Sequence, residues 1–300
     1  MKSSSRGIAV IMLFCIALVS APAQALDMSV GAIGWISEWR PFFFPEFNKP
    51  GFATYDTLDA SDGKTMGGPK PLVGPVIGIN FSPRWGITAT GTVGKYDTVE
   101  KKYSGLSAGT AFSGKNEIKA TKFDLDSTVN FNINQTFKIF AGIKVFNYGF
   151  EETRVIDVGP DRVTYGVEGE MNGGALGLGI GVSFRLVGNL FVLANASANL
   201  IGGDFVYKEK NYSAIPAEPV IQIVRPEKDL TTGTSGSWGG NGTLAFAYYV
   251  ESWSTTFSLG ARGQFIKYKF SDDSFSKLGF TNTMDAFYGI TFSAVYSFEI

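Results

Sequence analysis

Apolar and polar side chains alternate along most of this chain with a period of two residues. The closing segment shows the pattern most clearly, because apolar residues occupy every second position there: Tyr288, Ile290, Phe292, Ala294, Tyr296, Phe298 and Ile300. Successive side chains of a β-strand point to opposite faces, so the alternation predicts a strand with one apolar and one polar face. The same pattern recurs in residues 122–131 and 176–184.

The alternation predicts ten strands, joined by connections that are short and long in turn. The predicted strands cover about residues 27–38, 72–81, 85–97, 119–133, 137–149, 166–184, 190–201, 237–250, 253–269 and 285–299. The short connections fall near residues 82–84, 134–136, 186–189 and 251–252, and the long ones cover residues 39–71, 98–118, 150–165, 202–236 and 270–284. Tight turns at one end and long loops at the other are typical of an up-and-down barrel. We therefore predict an all-β fold, a closed antiparallel barrel of about ten strands, with eight or twelve as alternatives.

The apolar face of these strands tests whether the barrel spans a membrane. One face of the strand near residue 140 consists of Ile139, Ala141, Ile143 and Val145, and no charge interrupts the comparable faces of its neighbours. A Lys or Arg at the bilayer midplane costs about 2 to 4 kcal/mol, so an uninterrupted apolar face favours contact with lipid. The alternative is a soluble secreted all-β domain of the lectin type, in which the apolar face packs against a second sheet.

The first residues have the pattern of an export signal. Lys2 and Arg6 precede an apolar run over residues 8–19, and a small-x-small cleavage pattern follows at Ala23-Gln24-Ala25. We predict a cleaved secretory signal peptide over residues 1–25 and a single barrel domain over residues 26–300. The one cysteine, Cys15, lies in the signal peptide, so no disulfide is expected in the mature chain.

Taken together, these residues resemble the outer-membrane β-barrel superfamily of Gram-negative bacteria. Four aromatic residues of the closing strand resemble the assembly signal of that group: Tyr288, Phe292, Tyr296 and Phe298. The resemblance implies short periplasmic turns, long extracellular loops and export by the general secretory route to the outer membrane. The partners it implies are outer-membrane lipid, lipopolysaccharide and the barrel-assembly machinery, which would recognise the C-terminal strand.

Composition excludes several kinds of function. The chain has no histidine, whereas the omptin proteases and the outer-membrane phospholipase, which share the barrel architecture, depend on histidine. We therefore expect no enzymatic activity, no cofactor and no metal site built from His and Cys. The 26 basic and 27 acidic residues give no basic field, so we expect no nucleic-acid partner.

Charged side chains at predicted inward positions gather on one wall of the lumen: Lys122, Asp124, Asp126, Lys138, Lys144 and Arg262. This wall can be interpreted as a structural charge network, as a contact for a solute or ion, or as an acid–base pair formed by Asp124 and Asp126. Neutralisation of the inward lysines explains the carboxylates most simply.

Most other inward residues are Thr, Ser, Asn or Gly, which do not fill a ten-stranded lumen well. They indicate a narrow porin-like passage for small polar solutes, with the charged wall as its constriction. The glycines of the run 177–181 are expected to leave room for a neighbouring aromatic ring or for water.

The alternative is a closed barrel that acts as a surface binding protein, an adhesin or a structural protein through its extracellular loops. The predicted loops 39–71 and 202–236 carry the aromatic candidates for such contacts: Trp39, Phe42, Phe43, Phe44 and Tyr207. Their density is compatible with packing on the barrel rim or with an exposed platform for a ligand.

Overall fold

The computed structural model describes residues 26–42, 68–97, 101–107, 110–158, 161–214, 228–271 and 283–300. The predicted signal peptide and the candidate residues Phe43 and Phe44 lie outside these ranges. The strands are β1 (Asp27–Arg40), β2 (Lys70–Asn80), β3 (Trp85–Asp97), β4 (Lys101–Ser107), β5 (Thr110–Asn132), β6 (Phe137–Val158), β7 (Asp161–Val187), β8 (Leu190–Ala214), β9 (Lys228–Val250), β10 (Thr255–Lys267) and β11 (Met284–Glu299).

Ten of these strands close into an antiparallel barrel, as the alternation predicted. Strands that are neighbours in sequence pair with each other except β3 and β4, while β1 pairs with β11 and β3 pairs with β5. Strand β4 pairs with β5 and stands outside the barrel. Closure leaves the barrel without free strand edges, which is the condition for a sheet to lie in lipid.

The predicted tight turns are present at one end of the barrel. Side chains stabilise two of them: the Asn134 Oδ1 atom accepts hydrogen bonds from the backbone N–H groups of Thr136 and Phe137 (both 2.8 Å), and Ser82 Oγ accepts one from Trp85 N–H (3.0 Å). Leu26 N–H donates to the Ile300 carbonyl (3.1 Å), so both ends of the described domain lie at this turn end. The opposite end is the loop end.

The predicted long loops are wrong over much of their length, because the strands continue into them. Strands β6 and β7 pair without interruption beyond the predicted loop boundary at residue 150, for example at Glu151 with Glu168. Strands β8 and β9 likewise extend into the predicted loop 202–236, and β4 and the start of β5 occupy most of 98–118. These extensions have polar residues at outward positions. They therefore lack the apolar face from which the other strands were predicted.

An outward apolar belt surrounds the barrel. Its members on β7 include Leu176, Leu178 and Ile180, with exposed fractions of 68%, 71% and 61%. Other members include Val30, Ile77, Ile143, Leu200, Leu244, Leu259 and Ile290. At its loop-side edge, the Tyr288 hydroxyl donates to Glu38 (2.5 Å). The belt is that of a transmembrane β-barrel.

Aromatic residues and one proline fit this arrangement. Near the turn end Trp85 packs against Phe131, with ring centroids 4.7 Å apart, as in an interfacial aromatic girdle.

Strand β2 pairs with β3 on both sides of Pro75, although not at Pro75 itself, which has no N–H to donate. In the described part of the chain, no helix has the length and apolar character needed to cross a membrane.

The belt predicts that a charge on it destabilises the barrel according to depth. Replacement of Leu178 by Arg should lower the free energy of unfolding by about 2 to 4 kcal/mol, because the cation would face lipid. Leu186→Arg, next to the turn at residues 188–189, is the control and should cost about 0 to 1 kcal/mol. Urea unfolding of both variants in lipid vesicles gives the comparison, and equal losses would contradict the assignment of the belt.

Candidate functional site

The two halves of the lumen differ in how completely their inward side chains are buried. Inward side chains toward the loop end are buried, whereas inward side chains toward the turn end, such as Thr88, Asn130 and Asn195, are half-buried. In the described part of the chain, ten aromatic residues with exposed fractions no higher than 2% form what we call the aromatic plug: Trp35, Trp39, Phe42, Tyr96, Phe146, Tyr148, Phe150, Phe205, Tyr268 and Phe287. The loop-end half of the lumen is therefore filled by side chains.

Trp39 lies at the centre of the aromatic plug and joins strands from different sides of the barrel. Its ring stacks on Phe287 of β11, with centroids 5.2 Å apart. It makes edge contacts with Tyr96 of β3 and Tyr148 of β6, each also at 5.2 Å. Aromatic pairs in these geometries contribute about 0.5 to 1.5 kcal/mol each beyond the area they bury. The plug thus links β1, β3, β6 and β11 across the lumen.

Asp285 holds a second part of the plug in place. Its Oδ1 atom accepts a hydrogen bond from the backbone N–H of Phe42 (2.7 Å), and its Oδ2 atom accepts one from the Tyr268 hydroxyl (3.1 Å). The Tyr148 hydroxyl donates to Tyr268 in turn (3.0 Å). Asp285 is fully buried, so its carboxyl group directs the chain beyond β1 into the lumen and places Phe42 against Phe205.

These contacts correct the prediction that Trp39, Phe42 and Tyr207 belong to extracellular loops. Trp39 is in β1 and Tyr207 is in β8, and both side chains face the lumen with exposed fractions of 0% and 8%. Phe42 follows β1 and is also buried. The strands continue beyond the apolar belt with the same alternation, so every second side chain still points into the lumen. In this part of the barrel those inward side chains are aromatic.

Directly beneath the plug lies the charge network, which consists of Lys122, Asp124, Asp126, Lys144 and Arg262. Lys122 Nζ is 2.9 Å from Asp124 Oδ1, and Lys144 Nζ is 3.5 Å from Asp124 Oδ2 and 3.1 Å from Asp126 Oδ1. Arg262 Nη2 reaches Asp126 Oδ2 at 3.2 Å from β10. The network therefore runs from β5 and β6 across the lumen to β10.

The two layers of the lumen are in contact through cation–π interactions. Lys122 Nζ lies 4.1 Å from the centroid of the Phe287 ring, and the Arg262 guanidinium lies 4.8 Å from that of Trp35. A cation over an aromatic face is attracted by the ring quadrupole, most strongly where water is excluded. The plug and the charge network thus stabilise each other.

The geometry of Asp124 and Asp126 favours a structural role over acid–base catalysis. Lys144 binds both carboxylates, and Lys122 and Arg262 each bind one of them. Each carboxylate is therefore bound to at least two cationic side chains, which is the arrangement of a structural ion-pair network. Five of the six predicted wall residues meet in this network, whereas Lys138 lies apart from it.

Glycines of β7 leave room for rings that β6 points into the lumen. A Cβ atom at Gly173 would lie 2.1 Å from the Phe146 ring, and one at Gly179 would lie 2.3 Å from Phe140. Neither distance is possible for a real Cβ atom. The sequence indicated that inner-face glycines make such room, but the two rings that use it could be identified only from the strand register.

The turn-end half of the lumen contains a polar cavity of about 230 Å³, which we call the vestibule. Among the side chains that line it are Thr88, Asn130, Lys138, Asn195 and Arg262. Asp285 and the vestibule were not recognised from the sequence as a site. The sequence feature that could have identified Asp285 is a lone carboxylate in the closing strand, two residues before Phe287 and therefore on the same inward face.

Comparison with known proteins identifies the fold and no narrower group. No protein-family model and no curated protein matches the chain. Among solved structures, the outer membrane protease OmpT from Escherichia coli has 10% identity and a TM-score of 0.51, over 94% of this chain and 99% of OmpT. The translocator domain of autotransporter NalP from Neisseria meningitidis has 11% identity and a TM-score of 0.42, over 98% and 97%.

At these identities the likeness to OmpT is one of fold. The chain has the fold of the Gram-negative outer-membrane β-barrels, and the resemblance expected from the sequence is confirmed at that level. The protease activity in the name of OmpT belongs to OmpT.

The charge network predicts unequal effects for its two carboxylates. Asp124→Asn should lower the free energy of unfolding by about 3 to 5 kcal/mol, because it leaves the buried Lys122 without its partner. Asp126→Asn should cost less, since 25% of the Asp126 side chain is exposed. Urea titration of the refolded proteins gives both values.

The exposed pair of Glu117 and Lys119, 3.1 Å apart, provides the control for this comparison. Glu117→Gln should change the free energy of unfolding by about 0 to 1 kcal/mol. An Asp124→Asn variant as stable as this control would contradict the role given to the network.

Proposed function

We propose that the protein lies in the bacterial outer membrane as a closed barrel and acts at the cell surface through the extracellular extensions of its strands. The observation that carries the proposal is the aromatic plug, whose members Trp35, Trp39 and Phe42 have exposed fractions of 0%. A polar solute crossing this layer of rings would lose its hydration and gain few hydrogen-bonding partners in return, at a cost of several kcal/mol. The geometry therefore favours the closed barrel over the porin-like passage.

The extensions give the proposed surface role a rigid scaffold. On β6 the apolar belt ends at Val145, and the following outward residues are Asn147, Gly149 and Glu151. The outward face of the extended sheet is concave and forms a groove of about 520 Å³. Charged residues of both signs line it: Lys95, Lys119, Glu151, Glu168, Glu170 and Lys208. A paired sheet that holds charges around a groove suits a polar partner at the cell surface.

The remaining contacts follow from the position of the barrel in the membrane. Tyr288, Phe292 and Tyr296 are exposed on the outward face of β11, where they can meet lipid or the barrel-assembly machinery. The groove begins where the apolar belt ends, at the depth of lipopolysaccharide headgroups.

The proposal includes no catalytic role, since the chain has no histidine and the lumen carboxylates are bound to cations.

Conductance in planar bilayers tests whether the lumen is closed. The refolded protein should give no discrete current steps, because the plug leaves no continuous polar path. The variant Trp39→Ala with Phe42→Ala removes two rings from the plug and should give steps.

Phe257→Ala, at an outward position of β10, is the matched control and should stay silent. Heat-shifted gel mobility confirms folding in each sample, and Phe205→Ala replaces the double variant if that one does not fold. Discrete steps from the folded, unchanged protein would contradict the closed barrel and support the porin-like passage.

Labelling of intact cells tests the orientation of the extensions. The only cysteine is Cys15 in the predicted signal peptide, so a single introduced cysteine can be labelled specifically. A membrane-impermeant maleimide should modify Glu151→Cys on intact cells, because that position stands outside the apolar belt. Asn134→Cys, in a turn, should react only after the outer membrane is permeabilised. The reverse result would place the extensions in the periplasm.

A further inference from the structure

The vestibule is a concave polar site that opens away from the aromatic plug. Its inward side chains toward the turns are half-buried, so water reaches them, whereas the charge network and the plug close its loop side. Because the short turns are the periplasmic end of such barrels, the vestibule is accessible from the periplasm. A cavity of about 230 Å³ has room for a small solute as well as water.

The charges that line the vestibule are unbalanced. Lys138, Lys144 and Arg262 contribute three positive charges, and Asp126 contributes one negative charge. Asp124 lies behind Lys144 and is itself bound by Lys122. The other carboxylate close to the network, Asp285, lies on the plug side of the lumen, where Phe42 and Tyr268 bind it. The vestibule therefore has an excess of positive charge.

Two of the cationic groups have unused hydrogen-bond donors. In the part of the chain that the structure describes, Lys138 makes no ion pair and no side-chain hydrogen bond, although it is half-buried. The Nε–H group of Arg262 is also buried without a partner. A cation that is partly withdrawn from water and has no internal partner is less stable than a paired one, and an anionic ligand would supply the partner.

Neutral groups around these cations complete a polar lining. Asn130 Nδ2 donates to Thr88 Oγ1 (3.0 Å), and Asn241 Nδ2 donates to Ser197 Oγ (3.3 Å). The hydroxyl and amide groups of this lining can donate to the oxygens of a ligand or accept from its hydroxyl groups. Such a set suits a small anion with several oxygens, because charge-assisted hydrogen bonds are about twice as strong as neutral ones.

We infer that the vestibule is a binding site for a small free oxyanion that enters from the periplasm, with the Lys138 ammonium group as its main contact. Lys144 and Arg262 supply the positive field at the back of the site, and the asparagine and hydroxyl groups orient the oxygens of the ligand. The site ends at the plug, so it binds the anion without conducting it. The inference does not require the proposed surface role.

Asn195 offers a nearly isosteric way to block the site. A Cβ atom placed at Gly181 would lie 2.4 Å from Lys138 Cε and 2.5 Å from Asn195 Oδ1, so the ends of these two side chains are neighbours. Asn195→Asp would place a carboxylate beside the Lys138 ammonium group. The lysine would then have an internal partner and would no longer attract an external anion.

The test is isothermal titration calorimetry of the refolded protein in detergent, with inorganic phosphate added in a phosphate-free buffer. We expect a single site with a Kd of about 1 mM or tighter. Lys138→Gln and Asn195→Asp should each weaken binding about tenfold or more, because each removes a charge-assisted contact. Lys138→Arg, which keeps the charge, should retain binding, and Lys267→Gln, on the outward face of β10, should leave it unchanged.

Three results would overturn the inference. One is the absence of phosphate binding to the folded, unchanged protein. Another is an equal loss of affinity in Lys138→Arg and Lys138→Gln, which would show that the charge is not the contact. The third is unaltered binding in Asn195→Asp, which remains a valid test if Lys138→Gln does not fold. Conductance of the closed barrel is a separate measurement, so the two proposals can fail independently.

Discussion

The requirement that every backbone N–H and C=O group facing lipid be hydrogen-bonded within the protein determines this structure. Pairing of β1 with β11 and of β3 with β5 meets that requirement by closing the sheet. Once the sheet is closed, the two faces of each strand have different surroundings, since one meets lipid and the other meets the lumen. The apolar belt, the aromatic plug and the charge network all follow from this separation.

The lumen is organised in layers along the barrel axis, and each layer stabilises the next. Aromatic rings from several strands exclude water at the loop end, which strengthens the electrostatic interactions beneath them. Lys122 and Arg262 face those rings on one side and the carboxylates on the other. Buried charges are costly when unpaired, and here the carboxylates of β5 provide their partners. The vestibule is the part of the lumen where this pairing is incomplete.

A barrel closed in this way has two surfaces available for function, and they lie at opposite ends of the barrel. The extended strands carry their charged groove beyond the loop side of the belt, while the vestibule opens toward the turns. The plug separates them, so neither depends on a continuous pore. The likeness to OmpT concerns the fold alone, so the chemistry of this chain has to be argued from its own residues.

The sequence by itself determined the strands of the membrane belt, the tight turns, the antiparallel closure and the inward direction of the lumen charges, because a period of two fixes the face on which each side chain lies. It did not determine which inward residues meet. Strand stagger and tilt set the level of each residue in the barrel, and they decide that Trp39 stacks on Phe287, that Asp285 binds Phe42 and that Arg262 reaches Asp126. Alternation carries no information on that level, so only the tertiary structure decided that one half of the lumen is filled and the other is open.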